Sequence, residues 1–277
     1  MISRRFIDVP AGTIHCAIAG TGRPVLLLHQ TPRSWDEYRD VLPLLAANFQ
    51  AIAMDTIGFG DSSRPPLGSD SVENWAEVAM SLADALGIGR LSVVGHHTGA
   101  AIAVEIAATY ADRIDAAVLS AAPLLDANSR ARNTKPPRID NVVRRPDGSH
   151  LGELWRMRQP WYPPGDIDLL ERFVVDAVKA GARAAEGHAV VGRYVMETRL
   201  PLIRCPVLVI APRADPYAYP AARSVAKRIA GSLYVELEGG MVPLPDQMPE
   251  RFAELVKAFL LKQYDRSLDG SVVQFDC

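Results

Sequence analysis

One stretch constrains this chain more than any other: Leu91-Ser92-Val93-Val94-Gly95-His96-His97-Thr98-Gly99-Ala100-Ala101-Ile102-Ala103. A β-branched apolar run leads into a pentapeptide framed by Gly95 and Gly99. An alanine-rich helical pattern follows at once. Strand, sharp turn and helix in that order expose the central side chain, here His97, above the end of a sheet. The framing glycines suit a turn too crowded for Cβ atoms.

The rest of the chain repeats the alternation. Strand patterns over Arg4–Val9 and Thr13–Ala19 are joined by Pro10-Ala11-Gly12. Pro24–His29 is a short, continuously apolar run and Gln50–Met54 another such segment, the pattern of strands buried on both faces, and Ala116–Ser120, Pro206–Ala211 and Leu233–Leu237 read as further strands. Between them lie helical periods: one through Trp35, Val41, Leu42 and Leu45, one over Ser71–Leu86 closed by Gly87-Ile88-Gly89, one over Ala221–Ile229, and a last one over Pro249–Leu261. Such alternation predicts an α/β fold with a mostly parallel central sheet and helices on both faces. Loops after the strands' C-terminal ends then share one edge, where open α/β sheets bind ligands. His29, Asp55 and His97 all follow strands.

Residues 124–203 differ in character. Asn128–Asp147 is polar, rich in Arg and Pro, and aperiodic, and helical periods follow at Leu151–Met157, Ile167–Val178 and Ala189–Val195, the middle one N-capped by Asp166. The reading is a core of residues 1–123 and 204–277 with an inserted helical cap, 124–203. The segment Asp265–Cys277 is left as a loose tail or an extra edge strand.

Composition excludes several classes. With 30 Lys and Arg against 32 Asp and Glu, the net charge of −2 gives no footprint for nucleic acid or an anionic membrane. No apolar run reaches the ~20 residues that cross a bilayer, and no h-region follows the N-terminal Arg4 and Arg5. Cys16, Cys205 and Cys277 are scattered without metal spacing, so free thiols in a reducing cytoplasm are expected. The partner class left is a small-molecule substrate, with a homodimer open to the chain.

At the level of motifs the chain resembles the α/β-hydrolase superfamily over nearly its whole length. His29-Gln30-Thr31-Pro32-Arg33-Ser34 is similar to that family's H-G-x-P loop, with Gln30 for the glycine. Asp55-Thr56-Ile57-Gly58-Phe59-Gly60-Asp61-Ser62 is similar to its D-x-x-G-x-G-x-S loop. Gly95–Gly99 resembles its nucleophile elbow, Asp215 stands where the triad acid falls, and Gly239-Gly240-Met241-Val242-Pro243 matches the loop of the catalytic histidine. The nearest likeness is to capped members such as haloalkane dehalogenases and epoxide hydrolases, whose elbow places aspartate after H. Two departures stand out. His97 occupies the nucleophile position and Met241 the histidine position, so the family's covalent mechanism does not carry over.

With Met241 in that loop, a reaching imidazole at His97 can pair directly with Asp215. A carboxylate-oriented imidazole, with an ordinary pKa of ~6.5, suits general acid–base work near neutrality. The backbone amides of Thr31 and Thr98 are the oxyanion-hole candidates. Substrate-binding candidates are His29, Gln30, Arg33, His96, Trp155, Trp161, Tyr217 and Met241. For several a structural reading stands beside this one: His29 fixing its loop, His96 packing beside the elbow, Arg33 solvated, Met241 as apolar filler, and the tryptophans as core of the cap. A metal site of His29, His96 and His97 is disfavoured because adjacent histidines on a turn diverge, and no cofactor is expected. His15, His150 and His188 receive no role.

The functional expectation is a cofactor-independent enzyme acting on a small, partly apolar carbonyl compound. His97 would be the general base, and the outcome hydrolysis or lyase-type C–C or C–X cleavage without a serine nucleophile. A second expectation is a non-catalytic small-molecule binder, against which a retained Asp215 argues. A third makes His97 an acyl-accepting nucleophile.

Overall fold

The computed structural model describes residues 1–132 and 139–269. Its centre is an eight-stranded sheet in the order β1-β2-β4-β3-β5-β6-β7-β8. The strands are β1 (Ser3–Val9), β2 (Gly12–Ala19), β3 (Arg23–Leu28), β4 (Phe49–Met54), β5 (Leu91–His96), β6 (Ile114–Ser120), β7 (Val207–Pro212) and β8 (Leu233–Leu237). β1 and β2 form an antiparallel hairpin, β2 pairs antiparallel with β4, and every remaining pair is parallel.

The period-2 alternation divides the core into two layers. Leu26 and Leu28 of β3, Val93 of β5 and Val209 of β7 pack on one side. Val25, Leu27, Val94, Leu208 and Ile210 pack on the other. The first side is covered by α2 (Val72–Ala85) and α3 (Thr98–Thr109), the second by α1 (Val41–Leu45) and α10 (Pro249–Asp269). Helix α2 starts where the sequence places it: the Ser71 side chain accepts from the Asn74 N–H, and Trp75, Val78 and Leu82 face the sheet.

Between β6 and β7 lie the insertion helices α4 (Ala127–Arg132), α5 (Ser149–Arg158), α6 (Ile167–Ala180) and α7 (Arg183–Arg193). Asp166 caps α6 by accepting from the Leu169 N–H at 3.0 Å. The insertion has a small core of its own around Leu154, Tyr162, Leu170 and Phe173. After β7 come α8 (Tyr219–Ala226) and, beyond β8, the short α9 (Leu244–Gln247).

Three expectations need adjusting. The helix from Trp35 to Leu45 is two pieces, a 3₁₀ turn over Trp35–Tyr38 and then α1, because Ser34 caps the turn and Arg39 N–H closes it onto the Asp36 carbonyl. The last helix runs past Leu261 to Asp269, so residues 265–269 belong to it and not to a tail or edge strand; residues 270–277, including Cys277, lie outside the described segments. The aperiodic stretch Asn128–Asp147 contains the end of α4, and its residues 133–138 also lie outside.

Register decides what meets at the sheet's C-terminal edge. Leu28 pairs with Gly95, His96 with Ser120, and Ser120 with Ile210. The loops leaving β3, β5, β6 and β7 therefore emerge side by side, which is where His29, His97 and Asp215 stand.

Candidate active site

His97 sits at the tip of the turn between β5 and α3 with φ 48° and ψ −109°, a conformation disfavoured for a side chain with a Cβ. The surroundings enforce it. A Cβ on Gly95 would come within 2.1 Å of the Gly99 carbonyl oxygen, and one on Gly99 within 1.8 Å of the Leu28 carbonyl oxygen. Helix and strand thus touch through glycine, and the strain falls on the residue between them.

Nε2 of His97 lies 2.6 Å from Oδ2 of Asp215. Neither atom has another hydrogen-bond partner among the described residues. Asp215 is fully buried, and its other oxygen accepts from the backbone N–H groups of Tyr217 at 2.9 Å and Ala218 at 3.0 Å. Burial pushes its pKa up, but His97 and those two amides outweigh it and hold the carboxyl down at about 2. A carboxylate only accepts, so in a neutral imidazole the tautomer that serves this contact carries its proton on Nε2.

His97 faces a cavity of about 270 Å³ at the edge of the sheet, with Asp215 buried behind it. Gln30, Thr31, His97 and Thr98 contribute from the core, and Arg158, His188 and Val191 from the insertion. Pro123, Leu125, Ile139 and Val242 make much of the rest apolar. Thr98 opens α3, so its N–H has no acceptor within the helix. The Thr31 N–H donates to Thr98 Oγ1 over 3.3 Å, a long bond.

The other candidates scatter. Gln30 and Tyr217 line the cavity. Gln30 turns its amide away, donating to Glu37 at 2.6 Å, while its backbone N–H donates to the same carboxylate at 2.9 Å. That buried acceptor accounts for a polar side chain where the family has glycine. His29 does not reach the cavity: Nδ1 bonds the Gln30 carbonyl and Nε2 accepts from the Thr56 N–H, pinning two loops, and burial lowers its pKa. His96 is likewise buried. Its Nε2 donates to the Val242 carbonyl at 2.8 Å and its Nδ1 meets Ser120 Oγ at 2.9 Å, while burial and then neighbouring His97 bring its pKa down to about 3.

Arg33 is neither solvated nor in the cavity. Its fully buried guanidinium donates to Asp176 at 2.8 Å, to Asp246 and to Asp36. Trp161 stacks edge-on against Tyr217 at 5.0 Å between ring centres, and Trp155 packs on the insertion's own core and a shallow external groove with Leu151 and Val174. Met241 is tied through its N–H to Gln247 at 2.7 Å, and the next residue, Val242, lines the cavity in its place.

The polar lining residues missed by the sequence reading are Arg158 and His188. Both lie in the insertion, where nothing but a helical period marks them. Among the described residues, the histidine and carboxylate atoms that converge closely enough for a metal are those of His15, Asp55 and Asp61, and not the three histidines considered above. His15 Nδ1 is 2.8 Å from Asp55, and its Nε2 accepts from Arg4, so these groups satisfy one another.

Fold and elbow together define the class: residues 23–177 match the model of the alpha/beta hydrolase fold, and the chain belongs to that family. Over 102 residues it is 38% identical to a soluble epoxide hydrolase from a Corynebacterium species, covering 37% of this chain and 35% of that one. Over 115 residues it is 36% identical to haloalkane dehalogenase 2 of Mycobacterium bovis, covering 42% and 40%. The matched region thus spans well under half of these relatives. The solved enol-lactonase of Burkholderia xenovorans superposes with a TM-score of 0.77 at 22% identity, over 93% of this chain and 100% of that one, which extends the likeness of fold to almost the whole chain. Among the described residues no helix is long and apolar enough to cross a membrane.

Proposed function

We propose that the protein is a cofactor-independent enzyme acting on a small, partly apolar carbonyl compound, with His97 as general base and Asp215 as the group that orients it. The observation that carries this reading is the 2.6 Å approach of His97 Nε2 to a carboxylate already fixed by two backbone amides. With Nε2 committed to Asp215, Nδ1 is the nitrogen that takes a proton, either from the carbon beside the carbonyl or from an attacking water. The amides of Thr31 and Thr98 supply the oxyanion hole, the substrate oxygen displacing the long bond from Thr31 to Thr98 Oγ1. The relatives named epoxide hydrolase and haloalkane dehalogenase favour hydrolysis; a base facing an enolisable carbonyl also suits lyase-type cleavage.

The test is turnover and α-proton exchange in D₂O, followed by NMR over a panel of small ketones, esters and lactones. Wild type is expected to consume or exchange at least one compound. His97→Ala is expected to lose that activity by about 10²–10⁴-fold, the usual worth of a positioned base, with an unchanged melting temperature. A variant that retains the rate removes His97 from the chemistry, and a wild type that binds but never turns over makes the fold a small-molecule receptor.

A further inference from the structure

The insertion brings a cation to the cavity. Arg158, at the end of α5, has a side chain only 4% exposed, where an unpaired charge is costly. Asp140 neutralises it: Arg158 Nε donates to Oδ1 at 2.9 Å and Nη2 donates to Oδ2. His188, from α7, brings its Nε2 to 2.8 Å from the same Oδ2. One carboxylate thus serves two nitrogen bases from different helices. Burial pushes Asp140 up, but Arg158 and His188 more than offset it and hold it at about 2. Its backbone lies at φ 57°, so the chain bends to place that carboxylate.

This triad engages Nε and Nη2 of the guanidinium, Nη2 also lying 3.4 Å from His188 Nε2, and leaves Nη1. Among the described residues Nη1 has no partner, although Arg158 and His188 both line the chamber that holds His97. The surrounding side chains of Leu125, Ile139, Val191 and Val242 carry no hydrogen-bond acceptor. A guanidinium edge left open in an apolar chamber is a site for an anionic oxygen, since charge-assisted bonds are strongest where water is excluded.

We propose that Arg158, held by Asp140 and His188, is a carboxylate-binding subsite, so that the substrate is a small carbonyl compound bearing a carboxylate. The claim about substrate rests on the chamber being the reaction site described above; the binding itself does not. At about 270 Å³ the chamber falls below the range of drug-sized ligands, consistent with a short-chain acid.

Butanoate and the near-isosteric butanamide test it, titrated by ligand-observed NMR against the full-length protein. Wild type is expected to bind butanoate at least tenfold more tightly. The preference should vanish in Arg158→Met combined with Asp140→Asn, a pair chosen so that no lone buried charge is left. In Arg158→Lys, which can still pair with Asp140 but lacks the second edge, it should fall several-fold. His97→Gln should keep it, which separates a failed subsite from a failed base. Equal binding of acid and amide by wild type, or a preference that survives both Arg158 variants, overturns the proposal.

Discussion

His97 reaches Asp215 only because its backbone accepts a conformation that the strand and helix impose on it. Asp215→Asn tests what that contact does. The asparagine carbonyl can still accept from Tyr217 and Ala218, but the atom facing His97 becomes an N–H donor. The imidazole must then carry its proton on Nδ1, and the base is lost. A rate loss of about 10²–10⁴-fold with little change in melting temperature is expected, and steady-state kinetics with thermal denaturation check both. His96 makes the contrast. Its folded pKa of about 3 lies below the ordinary 6.5, so the folded state binds fewer protons than the unfolded one. Its contribution to stability is complete above pH 6.5 and falls away toward pH 3, at about 1.4 kcal/mol per pH unit. Denaturant melts between pH 7 and 4 are expected to show that slope, and His96→Gln to flatten it. At this scale the sequence is informative where backbone geometry dictates residue type. Gly95 and Gly99 announce the elbow, and His97 and Met241 announce the departure from the family's triad on which the proposed chemistry rests. It is silent where burial decides: nothing in Arg33 or His29 as letters tells a cavity wall from a buried tie.

Elements came through more clearly than their ends. Apolar runs mark the central strands within a residue or two, since a strand buried on both faces has little room for polar side chains, whereas the edge strands β1 and β8 carry exposed charged residues. Boundaries slipped where tertiary contacts take over, as at the 3₁₀ turn after Ser34. The approach of α7 to the core left no sequence signal beyond a glycine. A Cβ at Gly187 would lie 2.7 Å from Thr31 Cγ2 and 2.9 Å from Phe59 Cζ, both buried and closely held. Gly187 therefore lets the insertion rest directly on the loop that carries the Thr31 amide. Gly187→Ala is expected to cost about 1–3 kcal/mol by overpacking, read by chemical denaturation, and to displace Thr31. Reduced turnover in excess of that destabilisation, measured well below the melting temperature, marks the displacement.

Across the whole molecule, core and insertion are joined by buried charge as well as by apolar packing. Arg33 comes from the loop after β3, Asp176 from α6 and Asp246 from α9, and Ser34 Oγ adds a bond to Asp176 at 2.9 Å. Removing the cation leaves buried Asp176 with only the Ser34 hydroxyl and buried Asp246 with only Arg172, so Arg33→Met is expected to destabilise by about 3–5 kcal/mol. Adding Asp176→Asn and Asp246→Asn should recover a good part of that loss, and urea melts of the single and triple variants measure it. The chain topology carries one more consequence. The insertion leaves the sheet between β6 and β7, while His97 follows β5 and Asp215 follows β7. Its two attachment points thus fall inside the interval that the His97–Asp215 contact bridges. A different helical segment could be grafted between those strands and change which molecules the chamber admits without moving the pair beneath it. In this architecture, selectivity and chemistry are separately interchangeable parts.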